Sequence, residues 1–118
     1  QLERLGLDDV PSAANRLRFE GRRVWAEFPF VDPSCAGCGN CKAQHVRRYR
    51  GRGYTTILVG DGYSDRCGAR AAHGVFARAG GSLEAWCREQ AIPFRSFAGF
   101  ADVAALVARD AARTAGGR

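Results

Sequence analysis

The sequence predicts an α/β fold with a mostly parallel sheet, preceded by an N-terminal β-hairpin. Three observations carry this expectation. From residue 39 onward the hydrophobic pattern runs helix, strand, helix, strand, helix, strand, helix. The segment Tyr54-Thr55-Thr56-Ile57-Leu58-Val59 is β-branched and almost continuously apolar, as suits a strand buried on both faces of a parallel sheet. Upstream, Asn15 to Glu20 and Arg23 to Phe30 alternate well enough for a hairpin turning at Glu20-Gly21.

The elements follow in order. Residues 1–7 (QLERLGL) read as the end of a helix stopped by Gly6. Beyond the hairpin, Asp32-Pro33-Ser34 and the glycines at 37 and 39 mark a loop. A short helix is expected from Lys42 to about Arg50, then the strand 54–59 ending at Gly60, then a helix from about Ser64 to Ala72. Val75-Phe76-Ala77 reads as a short strand, and Ser82 as the N-cap of a helix whose apolar stripe includes Leu83, Trp86 and Cys87. Phe94 to Phe97 gives another short strand. Phe100, Val103, Leu106 and Val107 fall at helical spacing in the last element. Residues 1–113 are expected to form one core and 114–118 a frayed tail.

Composition narrows the function classes. At 118 residues the chain is one domain's worth, and 46% hydrophobic and 25% charged residues are ordinary for a globular protein. No stretch has the apolar length to span a bilayer, and the first residues lack signal-peptide character, so a cytoplasmic location is expected. Five cysteines, an odd number without a secretory signal, argue against a disulfide framework. The net charge of +6 invites a nucleic-acid reading. Against it, the cations are spread along the chain, and arginine supplies 17 of the 18, which reads as compositional bias. Arg47, Arg48, Arg50 and Arg52, the local basic cluster, read as a solvated helix face. Lys42 is the single lysine, directly after a cysteine-rich turn.

Chemistry concentrates in Gly60-Asp61-Gly62-Tyr63-Ser64-Asp65. Ligands of open α/β sheets bind beyond the carboxyl ends of the strands, where Asp61 is expected. Gly60 and Gly62 leave backbone open to a phosphate, and Asp65, four residues after Asp61, can turn its carboxylate to the same place. Two hard oxygen ligands suit Mg²⁺, which shares them with water and substrate phosphate. A plain Gly-Asp-Gly turn with Asp65 at a helix N-terminus fits the spacing equally well. Lys42 opens a helix, where an anion is already favoured, and can neutralise a transferring phosphoryl group; a solvated surface lysine is the competing reading. Cys35, Cys38 and Cys41 form C-x2-C-x2-C with His45 beyond, a chemically possible zinc set. Short spacers crowding three ligands on one turn, and Lys42 beside them, weigh against it. A ferredoxin-like cluster would need a cysteine where His45 stands.

Cys38-Gly39-Asn40-Cys41-Lys42, the strand ending in GDGYSD and the stretch His73-Gly74-Val75-Phe76-Ala77-Arg78 together resemble the haloacid dehalogenase (HAD) superfamily. Within it they are most similar to the phosphatases of the methionine-salvage subgroup, related to phosphoserine phosphatases. The similarity continues through the helix 83–90 and the segment 92–100. It implies a Rossmann-like three-layer fold. It also implies that Lys42 holds nucleophile and phosphate, and that Asp61 and Asp65 bind Mg²⁺ directly or through water. Cysteine-rich turns precede this lysine in the resembled subgroup, which favours a reduced structural loop over zinc.

The departure from the pattern has consequences. The superfamily's nucleophile is the first aspartate of a DxD motif, and this sequence contains no DxD. The Ser/Thr motif and the helical cap that selects substrate are not found either. The resemblance therefore implies the C-terminal part of a phosphatase acting on a small phosphorylated substrate, inactive by itself. The alternatives are a non-catalytic remnant binding Mg²⁺, phosphate or a protein partner, and a small zinc module built on Cys35, Cys38, Cys41 and His45. The strands that would carry the missing motifs belong beside strand 54–59, so an open sheet edge and a homodimer or swapped oligomer are expected.

Overall fold

The computed structural model describes residues 4–7, 9–35 and 37–116. The chain divides into two units, Gln1–Cys41 and Lys42–Arg118. In the first, β1 (Arg16–Glu20) and β2 (Arg23–Glu27) form an antiparallel hairpin, with Leu17 opposite Ala26 and Phe19 opposite Val24. The two loop residues are Gly21 and Arg22, one position later than expected, and Gly21 takes the positive φ of 60° that such loops demand. Arg18 and Glu27 close the hairpin's open end through a 3.0 Å ion pair. The loop after it is held by local bonds: Asp32 accepts from the Ser34 N–H and hydroxyl, and the Asn40 amide donates to the Ala13 carbonyl. Arg4 to Gly6 form a turn and Leu7 is irregular, rather than the helix end expected there; residues 1–3 lie outside the described residues.

The second unit alternates helices and strands: α1 (Lys42–Gly51), β3 (Ile57–Gly60), a 3-10 turn (Tyr63–Asp65), α2 (Arg66–Ala71), β4 (Gly74–Arg78), α3 (Ser82–Glu89), β5 (Arg95–Phe97) and α4 (Phe100–Gly116). The strands form a parallel sheet in the order β3-β4-β5. The described residues thus contain a parallel three-stranded sheet, an antiparallel hairpin and four α-helices, a mixed α/β set consistent with a partial Rossmann-like fold.

The core occupies one face of the parallel sheet. Leu58, opposite Val75 in the register, and Ala77 pack with Ala69 of α2 and with Leu83 and Cys87 of α3. Trp86, Ile92 and Phe94 close around this cluster. Burial in this core pushes the Cys87 thiol up, keeping it protonated.

Several expectations change. Strand 54–59 shrinks to Ile57–Gly60, because α1 overruns to Gly51 and the Tyr54 N–H bonds back to the Tyr49 carbonyl. It is not buried on both faces: Leu58 is, but Ile57 and Val59 are 37% and 36% exposed. β3 is an edge of the described sheet, so one of its sides has no ladder partner there. Gly81 rather than Ser82 is the N-cap of α3. Phe100, expected on the packed stripe of the last helix, is 80% exposed. α4 continues to Gly116, past the expected tail boundary at 113. No described helix is long and apolar enough to cross a membrane.

Candidate functional site

All three parallel strands run the same way, so their carboxyl ends open on one side. A cleft of about 380 Å³ lies there, lined by Gly60, the last residue of β3, and Asp61 after it, by Arg78 at the end of β4, and by Phe97, the last residue of β5, with Ala98 to Phe100 beyond. Lys42 and Asp65 line it as well. Thus Lys42, Asp61 and Asp65, scattered over 24 positions of sequence, meet at the place where open α/β sheets bind ligands.

Asp65 organises the site. It is 2% exposed, and its carboxylate bonds on both oxygens. Oδ1 accepts from the Lys42 ammonium in an ion pair. Oδ2 accepts from the backbone N–H groups of Asp61 (3.0 Å) and Gly62 (3.1 Å). The same carboxylate thus aims the lysine and folds the loop under Asp61. Gly60 is needed for this approach, since a Cβ at that position would stand 2.4 Å from Cγ and Oδ2 of Asp65.

Asp61 is exposed, and its carboxylate has no hydrogen-bond partner among the described residues. Its backbone is fixed from the other side, by the Leu83 N–H donating to its carbonyl at 3.1 Å. That contact draws the start of α3 so close that a Cβ on Gly81 would lie 2.6 Å from the Asp61 carbonyl oxygen. Gly62 has a different place from the one its spacing suggested. Its N–H is committed to Asp65, and a Cβ there would only brush Ser82 at 3.8 Å.

Arg78 is a cleft residue that sequence reasoning did not single out. The signal was its position as the last residue of a strand parallel to the one ending at Gly60. Glu84 was also missed. It is 7% exposed and accepts hydrogen bonds from the Ser96 hydroxyl and from the Gly80 N–H at 3.2 Å. These bonds, with Arg88 nearby, hold its carboxyl below the usual range. It ties the β4–α3 connection to β5.

In the first unit, the sulfur atoms of Cys35, Cys38 and Cys41 all lie within 4.8 Å of one another. Crowding on a tight turn, the objection raised from the spacers, has not kept them apart. His45 belongs to α1 of the second unit, half-buried, its imidazole held below the ordinary pKa by burial and by Arg48. Of the basic cluster, Arg50 donates to the Ala71 carbonyl at 2.6 Å and Arg52 lies over the Tyr49 ring. Arg50 and Arg52 are therefore engaged within the fold.

Comparison with known proteins bears on this arrangement. No protein-family model matches the chain, and no solved structure does. A search of characterised proteins returns the 2-hydroxy-3-keto-5-methylthiopentenyl-1-phosphate phosphatase of Brevibacillus brevis, 37% identical over 99 residues. The chain is a relative of a phosphatase. The match takes in 82% of this chain but 44% of that protein, so the chain spans less than half the length of its relative. The likeness supports the resemblance to haloacid dehalogenase phosphatases at the level of the superfamily.

Proposed function

We propose that the chain is the C-terminal portion of a Mg²⁺-dependent HAD-type phosphatase that hydrolyses a small phosphomonoester. The reading rests on one observation above all: Lys42 and Asp65 form a buried-carboxylate ion pair in the cleft where the exposed carboxylate of Asp61 also lies. A lysine, hard oxygen donors and an additional arginine at the mouth of a parallel sheet suit a phosphoryl group and its cation.

Each residue has a part. Asp61 is the carboxylate with room for a metal, and Mg²⁺ held there would offset phosphate charge. Lys42 neutralises the phosphoryl oxygens and the nucleophile. Asp65, with both oxygens already bonded inside the protein, acts as a positioning residue through Lys42 and the loop. Gly60 serves Asp65 by leaving space. The nucleophilic aspartate is not among these 118 residues, so the chain alone should not turn over substrate. The open side of β3 is the natural place for a further strand to join, from a complementing segment or a second copy.

The test is hydrolysis of p-nitrophenyl phosphate with Mg²⁺, by the chain alone and with an N-terminal segment carrying a DxD motif. No turnover alone and turnover on complementation is the expected pair. In the complemented system Asp61→Asn and Lys42→Ala should each lower kcat by about 100-fold or more. Complementation that fails while Mg²⁺ still binds through Asp61 would favour a non-catalytic remnant. Turnover by the chain alone would overturn the assignment of the nucleophile.

A further inference from the structure

The N-terminal unit poses a problem that the phosphatase reading does not touch. Some 40 residues rarely bury enough apolar surface to hold a fold without a disulfide, a metal or a partner. Here the shortfall is plain. Cys41, 1% exposed, is the one fully buried residue among the described residues of this unit. Leu17, Phe19 and Val24 of the hairpin are 64%, 72% and 58% exposed. What the unit does gather is sulfur, and the described cysteines form no disulfide.

We propose that Cys35, Cys38 and Cys41 bind a structural zinc ion as thiolates, and that this ion stands in for the missing core of the N-terminal unit. C-x2-C is the spacing by which a tight turn presents two thiolates to one tetrahedral zinc, and this chain repeats it with Cys38 shared. Sulfurs bound to one zinc at about 2.3 Å lie about 3.8 Å apart. The three here are already within 4.8 Å of one another, so the turn need only tighten slightly. Soft thiolate ligands select zinc over the hard cation suited to Asp61, so two metals would be sorted by chemistry between two places. Lys42 is no obstacle, since its ammonium is paired with the Asp65 carboxylate. The ion would also act on the phosphatase site through the backbone: Cys41 precedes Lys42, and fixing one fixes the entry of the other into α1.

A zinc ion prefers a fourth ligand. Cys87 is excluded by complete burial in the other unit's core. Bound water can complete the tetrahedron where no fourth side chain does.

The full chain, purified under reductant with no chelator, should contain about one zinc by elemental analysis. Titration of the same wild-type chain with an organomercurial should release that zinc into a colorimetric chelator as the thiols react. This second measurement needs no variant, so it stands even where a substitution prevents folding. Cys35→Ser and Cys38→Ser should each lower zinc affinity by about 10-fold or more. Three results would overturn the proposal: no zinc retained after supplementation and desalting, no zinc released on thiol modification, or full zinc content in a Cys35→Ser/Cys38→Ser double variant. Visible absorption with stoichiometric iron would overturn it too.

Discussion

Residues 42–118 bury Leu83, Cys87 and Ala77 completely, whereas residues 1–41 bury no aliphatic or aromatic side chain among those described. Both units contain regular strands with well-formed ladders. The difference lies in what the strands lean on. β4 is central in its sheet, and its Val75, Phe76 and Ala77 are all buried. The hairpin alternates correctly, yet its apolar side chains stay in solvent. Alternation sets which residues share a face; it does not supply anything to cover that face. A two-stranded hairpin by itself is marginal in water, which is why the thiol cluster beside it carries more weight than its size suggests.

Truncation should break the comparison most visibly. Leu83→Ala removes a fully buried side chain from the packed cluster and should cost about 3–4 kcal/mol in chemical denaturation. Phe19→Ala, a larger deletion in the hairpin, should change stability by less than about 0.5 kcal/mol. If the two cost the same, Phe19 is covered in solution, and the hairpin has a partner that β3's open side also invites. Sedimentation or light scattering on the wild-type chain would then show an oligomer rather than a monomer.

Next in size is the organising carboxylate. Asp65→Asn keeps the shape but removes the charge that Lys42 and two backbone N–H groups share, and should cost about 2 kcal/mol. It should also abolish activity in the complemented phosphatase assay. Gly60→Ala tests the same pair from the other side. The added methyl meets the Asp65 carboxylate head on, and a loss of about 1–3 kcal/mol is expected, with the Lys42 ion pair disturbed. A neutral Gly60→Ala would mean that Asp65 has another place to go, and that the loop is not built around it.

These residues also show what the sequence could tell. The succession of strands and helices and the place of Asp61 beyond a strand's carboxyl end were legible, because hydrophobic period and the carboxyl-end rule act locally; the role of Lys42 beside the aspartates came from the family resemblance. The division of labour between the two aspartates was not legible. Four residues apart, they look equivalent as ligands, and only the fold reveals that Asp65 turns inward while Asp61 stays exposed. Gly81 was hidden for a similar reason: the need for glycine comes from Asp61, 20 positions earlier. β3 looked doubly buried because its composition suits a central strand, and a sequence pattern does not say whether the neighbouring strand is present. Glu84 on an otherwise apolar helix start offered a weak hint, a buried acid that must find donors.

Glu84 gives the smallest and most specific prediction. Its folded-state carboxyl is held below the ordinary value of 4.5, chiefly by the Ser96 hydroxyl, then by the Gly80 N–H and Arg88. The unfolded chain therefore binds this proton more readily than the folded one. Stability from Glu84 is fully present above pH 4.5 and is lost as pH falls through the lowered folded value. Denaturation midpoints measured from pH 7 down to pH 3 should show this acid-side loss in the wild-type chain. Glu84→Gln should flatten that component while lowering stability at neutral pH, because the amide replaces charge-assisted hydrogen bonds from Gly80 and Ser96 with weaker neutral ones. Ser96→Ala should reproduce part of the flattening. Should acid sensitivity be unchanged in both variants, the loss comes from other carboxylates, and the link between the β4–α3 connection and β5 is not the one that Glu84 makes.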